Sequence, residues 1–272
     1  MLQVIQLFIY PVKSLSGIAK QTVEITGTGF KHDRRWMLVD ENNLFLSQRI
    51  RPQMALLQTA ETETGMAVTH KHNSSHSIII PFVNEPGNKI KATVWDDICD
   101  ALEVNQNLNE WFSDMLQVHC KLVYMPDDTK RLVDKRYAAN DEITSFSDGY
   151  PILMIGQSAL DNLNEKLTEQ LPMDRFRPNI VFTGGHAHIE DEMGAFKINE
   201  TNFLGVKPCS RCVMTTINQQ TAEKGKEPLT TLATYRMKNN KIYFGQNVLQ
   251  QQNGFINVGD EIKIITQQEI FI

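Results

Sequence analysis

The apolar runs of this chain are short, rich in β-branched residues and stopped by turn formers, a pattern that builds many strands and few helices. Val4 to Ile9 ends at Tyr10-Pro11, and Thr22 to Ile25 follows a Ser/Gly turn. Arg35 to Val39 closes on Asp40-Glu41-Asn42-Asn43, and Ser77 to Ile80 stops at Pro81. Leu122 to Tyr124, Ile152 to Ile155, Asn179 to Phe182, Ile242 to Phe244 and Glu261 to Ile265 read the same way, as does Val213-Met214-Thr215-Thr216. Three or four helices are expected, and three have clear spacing. Leu108, Trp111, Phe112 and Met115 predict an amphipathic helix over 107–116. Leu160, Leu163 and Leu167 predict a second, opened by Ser158 with Asp161 as its capping partner. Glu227-Pro228 starts a third, short one that carries Leu229, Leu232 and Tyr235. The expected class is α+β: a β-barrel-like core with peripheral helices and a smaller α/β N-terminal region, not a doubly wound sheet. Residues 126–142 are charged and turn-rich, which marks a boundary or a mobile loop.

A formal charge of −5 argues against general binding to nucleic acid or an anionic membrane, but leaves room for a local basic pocket. The N-terminus has neither a basic start nor a long apolar stretch, so no signal peptide or transmembrane helix is expected. Cys99, Cys120, Cys209 and Cys212 are too few and too unevenly spaced for a disulfide scaffold, which fits a reducing cytoplasm.

Pro208-Cys209-Ser210-Arg211-Cys212 sets two thiols beside a guanidinium. Thiolates are soft ligands, and a neighbouring cation favours them over the thiol. Zinc binding, dithiol redox work, sulfur transfer and ligation of a soft redox metal all remain open on this spacing. His186 and His188 are the tempting partners for a zinc ion. In Phe176-Arg177-Pro178-Asn179 the proline is expected to hold Arg177 extended, suited to bidentate capture of a carboxylate or phosphate or to a surface salt bridge. Tyr10-Pro11-Val12-Lys13-Ser14 and Asp33-Arg34-Arg35-Trp36 each put a cation at a strand edge, without the glycines of a phosphate-binding P-loop. Phe146-Ser147-Asp148-Gly149-Tyr150-Pro151 is a loop of small acceptors before a strand. Asp191 and Glu192 are either proton carriers or part of a solvated acidic loop.

Taken in order, these segments, with Phe244-Gly245-Gln246 and Val258-Gly259-Asp260, resemble the MOSC-domain proteins that carry a MOSC N-terminal β-barrel region. They are similar in particular to the bacterial and mitochondrial amidoxime-reducing proteins. The resemblance implies a MOSC core at 126–272 and an N-terminal region at 1–125, or alternatively a barrel that recruits 1–34 and leaves 35–125 inserted. It implies a molybdenum cofactor, a pterin dithiolene bearing a phosphate, with Cys212 as ligand to the metal and as the catalytic residue. By the same match Lys13, Ser14 and Arg34 line the anionic side of the cofactor, and Arg177 and Asn179 hold its phosphate or pterin. Ser210 and Arg211 offer donors, Ser147 and Asp148 form a contacting loop, and Cys209 is not a metal ligand. The implied activity is reduction of small N-hydroxylated compounds, a detoxification. Some relatives append an iron–sulfur domain or a membrane anchor, whereas no cysteine follows Cys212 here. Electrons are therefore expected from a separate flavin, haem or iron–sulfur protein, with no membrane and no nucleic-acid partner. The competing readings are a cofactor carrier or sulfur-transfer module, and a structural zinc protein using Cys209, Cys212, His186 and His188.

Overall fold

The computed structural model describes residues 1–82 and 87–269. Its centre is a closed barrel of seven strands. Around the barrel run Ile152–Gly156, Ile180–Thr183, Leu2–Ile9, Glu261–Ile264, Ala195–Ile198, Thr201–Arg211 and Lys241–Gln250, and the last pairs again with the first. All pairs are antiparallel except Ile152–Gly156 with Ile180–Thr183, which are joined through the helix Gln157–Asn164. Inward positions alternate along each strand: Val4, Leu7, Met154, Ile180, Phe182, Phe196, Phe203 and Val248 fill one continuous core. Outside the barrel, Leu160 and Leu163 of that helix and Leu232 of the short helix Leu229–Ala233 pack on Ile155, Val181, Phe176 and Phe244. Phe176 and Phe244 stack at 4.2 Å, which fixes the turn that carries Arg177 against the barrel wall.

The first strand of the chain lies between strands from its far end: Leu2–Ile9 pairs with both Ile180–Thr183 and Glu261–Ile264. The chain then leaves the barrel for a sheet ordered Trp36–Val39, Lys121–Tyr124, Asp97–Glu103, Lys89–Val94. Trp36 and Leu38 enter a core with Leu57, Val68 and Phe112, while Met37 and Val39 enter another with Ala92, Val94 and Phe146. Both faces of this sheet are thus covered, the first by the meander Leu57–Glu61, Gly65–His70, Asn73–Pro81 and the helix Gln106–Leu116. Among the described residues no helix is long and apolar enough to cross a membrane.

Several local expectations change. Val213–Thr216 is a 3-10 turn, and the strand is the preceding Thr201–Arg211. The Thr215 and Thr216 hydroxyls donate to the carbonyls of Cys212 and Val213 at 3.0 and 2.8 Å, local bonds that compete with strand pairing. The helix after Ile155 is capped at Gly156, Ser158 donates to the His186 carbonyl instead, and Asp161 accepts from Gln157. Pro228 sits at the N-cap, one position before the helix. Residues 126–142 form no helix or strand but are tied down, since the Val133 N–H donates to Glu142 and Arg131 donates to Asp97.

The acidic stretch after His188 is not solvated. Asp191 is buried in an ion pair with Arg236 at 2.5 Å, and Glu192 pairs with His186 at 3.1 Å. Glu190 is fully buried; its Oε1 accepts the Gly156 N–H at 3.2 Å and its Oε2 has no hydrogen-bond partner among the described residues. Burial, reinforced by Asp191, pushes its carboxyl from 4.5 up to about 7. Between those values the unfolded chain has lost a proton that the folded chain keeps. The stability Glu190 contributes is therefore complete below the lower value and falls as pH rises through the upper one. Glu190→Gln, which imitates the neutral acid, is expected to be more stable than the wild type at pH 8 by on the order of 3 kcal/mol, at about 1.4 kcal/mol per pH unit. Urea unfolding of both proteins at pH 5 and pH 8 checks this, with the difference absent or much reduced at the lower pH.

Candidate active site: a cationic cavity beside an exposed thiol

The ten residues that the family resemblance assigns to the cofactor site all line one cavity of about 330 Å³: Lys13, Ser14, Arg34, Ser147, Asp148, Arg177, Asn179, Ser210, Arg211 and Cys212. The barrel topology brings them there. Leu2–Ile9 delivers Lys13, whose N–H donates to the Trp36 carbonyl at 2.8 Å, and the return at Arg34 is closed by its N–H on the Tyr10 carbonyl at 2.9 Å. Asn179 and Arg177 precede Ile180–Thr183, and the cysteine motif ends Thr201–Arg211.

Three of these residues adopt left-handed backbone without being glycine: Ser14 (φ +70), Arg34 (φ +50) and Arg177 (φ +56). The expectation that Pro178 keeps Arg177 extended is thus overturned. A following proline disfavours the right-handed helical region, but here the backbone takes the positive-φ alternative at the end of the 3-10 turn Met173–Arg175. Such conformations cost about 1–3 kcal/mol each and persist only where surrounding contacts impose them. At Arg34 and Arg177 the contacts are visible. Arg34 donates to Asp33 at 2.5 Å, to Asn179 Oδ1 at 3.0 Å and to the Arg177 carbonyl at 3.3 Å. Both guanidinium groups lie over the Tyr10 ring, at 4.6 Å for Arg34 and 4.3 Å for Arg177.

The cavity is strongly positive in an acidic protein. Its described lining holds seven cationic residues, Lys13, Arg34, Arg49, Arg175, Arg177, Lys207 and Arg211, against one carboxylate, Asp148. Lys13 Nζ donates to the Phe146 carbonyl at 2.8 Å and pairs with Asp148. Burial pushes the Lys13 amine down to about 8, despite Asp148. Desolvation acts to raise the Asp148 carboxyl, but Lys13, Arg49 and Arg34 outweigh it and hold the group well below the usual carboxylate range. Burial pushes Arg177 down to about 10, with Arg34 adding repulsion. Among the described residues Arg177, only 6% exposed, makes no ion pair. A desolvated guanidinium facing another cation without a carboxylate of its own is built for an anion from outside.

The thiols differ. Cys212 is exposed at the N-cap of the 3-10 turn Val213–Thr216. Cys209 is half-buried and accepts from Arg211 Nη1 at 3.0 Å, while Nη2 of the same arginine donates to the Phe176 carbonyl at 2.7 Å. Cys209 lies where the pairing with Lys241–Gln250 slips between Pro208 and Ser210, opposite Gly245 at φ +80. A Cβ there would meet Ile155 at 2.6 Å and the Met154 carbonyl at 3.0 Å, so this turn of the strand needs glycine. The zinc reading loses its ligands. His186 is paired to Glu192, His188 packs on Tyr235 and Phe244, and neither lines the cavity. No group of three or more His, Cys, Asp or Glu among the described residues is placed to hold a metal ion.

The sequence pattern missed Arg49, Trp95, Arg175 and Lys207. Arg175 stands two residues before Arg177, and the crowding of Arg175-Phe176-Arg177 is a signal that was available. Arg49 and Trp95 arrive from the N-terminal sheet and its loops, and nothing local announces them.

Comparison with known proteins agrees with this architecture. The family model "MOSC N-terminal beta barrel domain" matches residues 1–119, and "MOSC domain" matches 141–263. Mitochondrial amidoxime-reducing component 1 of Mus musculus is 28% identical over 284 residues, covering 97% of this chain and 82% of that protein. The Homo sapiens protein of the same name is also 28% identical, with 97% and 83% covered. Molybdenum cofactor sulfurase of Arabidopsis thaliana is 28% identical over 281 residues, 93% of this chain but 34% of that larger protein. The chain belongs to the MOSC-domain family, in the form that pairs a MOSC domain with a MOSC N-terminal beta barrel domain.

Proposed function

We propose that this protein reduces N-hydroxylated compounds through a molybdenum cofactor, with Cys212 as the protein's ligand to the metal. The observation that carries the proposal is the exposed Cys212 thiol on the wall of a cavity lined by seven cations and one carboxylate. The donor set fits the group. A metal already held by dithiolene sulfur favours one more soft thiolate. A pterin phosphate calls for desolvated cations: Arg177 makes no ion pair among the described residues, and Arg34 and Lys13, paired to Asp33 and Asp148, stand in the same cavity. When bound, the cofactor would supply the two electrons that, with two protons, convert an N–OH compound to the N–H compound and water.

The chain's own residues bind and orient. Arg177 and Arg34 hold the anionic tail, and Asn179 fixes Arg34 through its Oδ1. Lys13 Nζ stays protonated at neutral pH and keeps its charge directed at the cavity beside Asp148. We further propose that the cofactor-holding unit is 1–34 with 126–272, and that the inserted 35–125 closes one wall of the cavity through Arg49 and Trp95. The four thiols are free, which suits a reducing cytoplasm and leaves electron supply to a separate flavin, haem or iron–sulfur protein. The substrates are small N-hydroxylated compounds, and their removal is a detoxification.

A second reading, sulfur transfer to the cofactor, is favoured by the Arg211–Cys209 contact and by the similarity to a molybdenum cofactor sulfurase. Bound pterin with no turnover of a hydroxylamine under a strong artificial reductant would decide for it.

Protein made in a cofactor-competent host is expected to carry about one molybdenum per chain. Cys212→Ala should lose the metal and the reductase activity together, and retention of both in elemental and activity assays would overturn the proposal. The anion site can be tested without the metal. Inorganic pyrophosphate should bind the cofactor-free protein, and Arg177→Met should weaken it by about tenfold or more in calorimetry, as for a lost charge-assisted contact. Wild-type affinity should also fall from pH 7 to pH 9 as Lys13 loses its proton near pH 8, whereas Lys13→Arg should flatten that part of the profile.

A further inference from the structure

Trp95 stands in the lining of the same cavity, 39% exposed, and the family match gives it no role. It lies on the turn between the strands Lys89–Val94 and Asp97–Glu103. Val94 pairs with Asp97, so Trp95 and Asp96 are the two central residues of a tight hairpin. Trp95 has φ +56 and Asp96 is not among the positive-φ residues, which is the sign pattern of a type II′ turn. Such turns normally give their first central position to glycine, and a bulky aromatic there is strained.

Three contacts hold this indole in place. Its N–H donates to Asp148 Oδ1 at 3.2 Å, the carboxylate already paired with Lys13. The Arg49 guanidinium lies over the ring at 4.0 Å, and Phe45 leans on it at 5.1 Å. Arg49 is itself committed, with Nη2 at 3.9 Å from Asp148 Oδ2. Trp95 keeps 39% of its surface exposed and is among the residues lining the cavity that also holds Cys212. An aromatic side chain that is strained at the backbone, locked by polar contacts and still partly exposed in a cavity is a preformed face for a planar ligand.

We propose that Trp95 is the stacking shelf for the aromatic ring of an N-hydroxylated substrate, and so determines which such compounds the cavity prefers. This rests on the reductase reading above for the owner of the ring. The locked indole offers a flat surface at little further entropic cost, while the N–OH end is left free to approach the Cys212 side. Saturated and short-chain N-hydroxylated compounds have no flat face to use it.

The test is to titrate cofactor-loaded protein with benzamidoxime and acetamidoxime, which carry the same N–OH group with and without a ring. Wild-type protein should prefer benzamidoxime in calorimetry. Trp95→Gly, a residue suited to the turn, should keep the protein folded with a thermal midpoint no lower than the wild type, yet reduce that preference at least about fivefold, as for a lost stacking partner. Trp95→Phe should keep the preference within about twofold. Molybdenum and pterin contents should match the wild type in both variants. The proposal is overturned if the wild type has no preference, if Trp95→Gly retains it, or if Trp95→Gly loses pterin, which would assign the shelf to the cofactor ring. The reductase reading fails separately, when wild-type protein binds benzamidoxime selectively but reduces neither compound under a strong artificial reductant.

Discussion

The side-chain amide of Asn179 is the contact on which the rest of the site depends. It is 1% exposed, and its Oδ1 accepts both the Leu153 N–H at 3.1 Å and the Arg34 guanidinium at 3.0 Å. Its Nδ2 donates to the Phe8 carbonyl at 3.2 Å. The Asn179 backbone repeats the connection, accepting from Phe8 N–H at 2.9 Å and donating to Leu153 at 2.8 Å. One residue thus ties the first strand, the strand before the crossover helix and a cavity arginine into a single arrangement. Aspartate would bring a second negative charge beside Asp33 and lose the donor to Phe8. Leucine would remove all three side-chain bonds, and Arg34 would keep only Asp33 and the Arg177 carbonyl.

Charge gives the cavity its character. The chain as a whole is negative, yet among the described residues seven cations line one space with a single carboxylate for company. Mutual repulsion and desolvation work against that arrangement in the protein alone, as the lowered Lys13 and Arg177 values show. Left-handed backbone at Ser14, Arg34 and Arg177 adds a further cost. Folding tolerates these because the barrel core and the Phe176–Phe244 stack hold the frame rigid elsewhere. An incoming polyanion would relieve the repulsion without requiring the frame to move.

Much of the fold was legible in the sequence because strands and helices write their burial into a local period. Val4 to Ile9, Ile152 to Ile155 and the Leu108–Met115 stripe all stand where that period puts them. Errors arose where side chains rewrote the backbone. The Thr215 and Thr216 hydroxyls turned an apparent strand into a 3-10 turn. The proline after Arg177 disfavours the right-handed helix and pointed to an extended backbone, whereas the structure has positive φ there. Asp191 looked solvated because its partner Arg236 is 45 residues away. The convergence of Lys13, Arg34, Arg177 and Cys212 was readable only as a set of ordered motifs resembling a known family. Arg49 and Trp95 follow from how the N-terminal sheet sits against the barrel, which no short stretch of sequence encodes.

The placement of Leu2–Ile9 has a consequence for the order in which the molecule assembles. Along the chain Leu2–Ile9 comes far before both strands that flank it in the barrel ring, Ile180–Thr183 and Glu261–Ile264. As the chain is made, this strand waits for both of its ring partners, and only its Leu7–Ile9 end can pair early, with Ile18–Lys20. The sheet Trp36–Val39, Lys121–Tyr124, Asp97–Glu103, Lys89–Val94 has all its members in hand long before then. Nascent chains should therefore gain an ordered middle ahead of an ordered beginning, and closure of the ring is the slow, late event expected of pairing between residues so distant along the polypeptide.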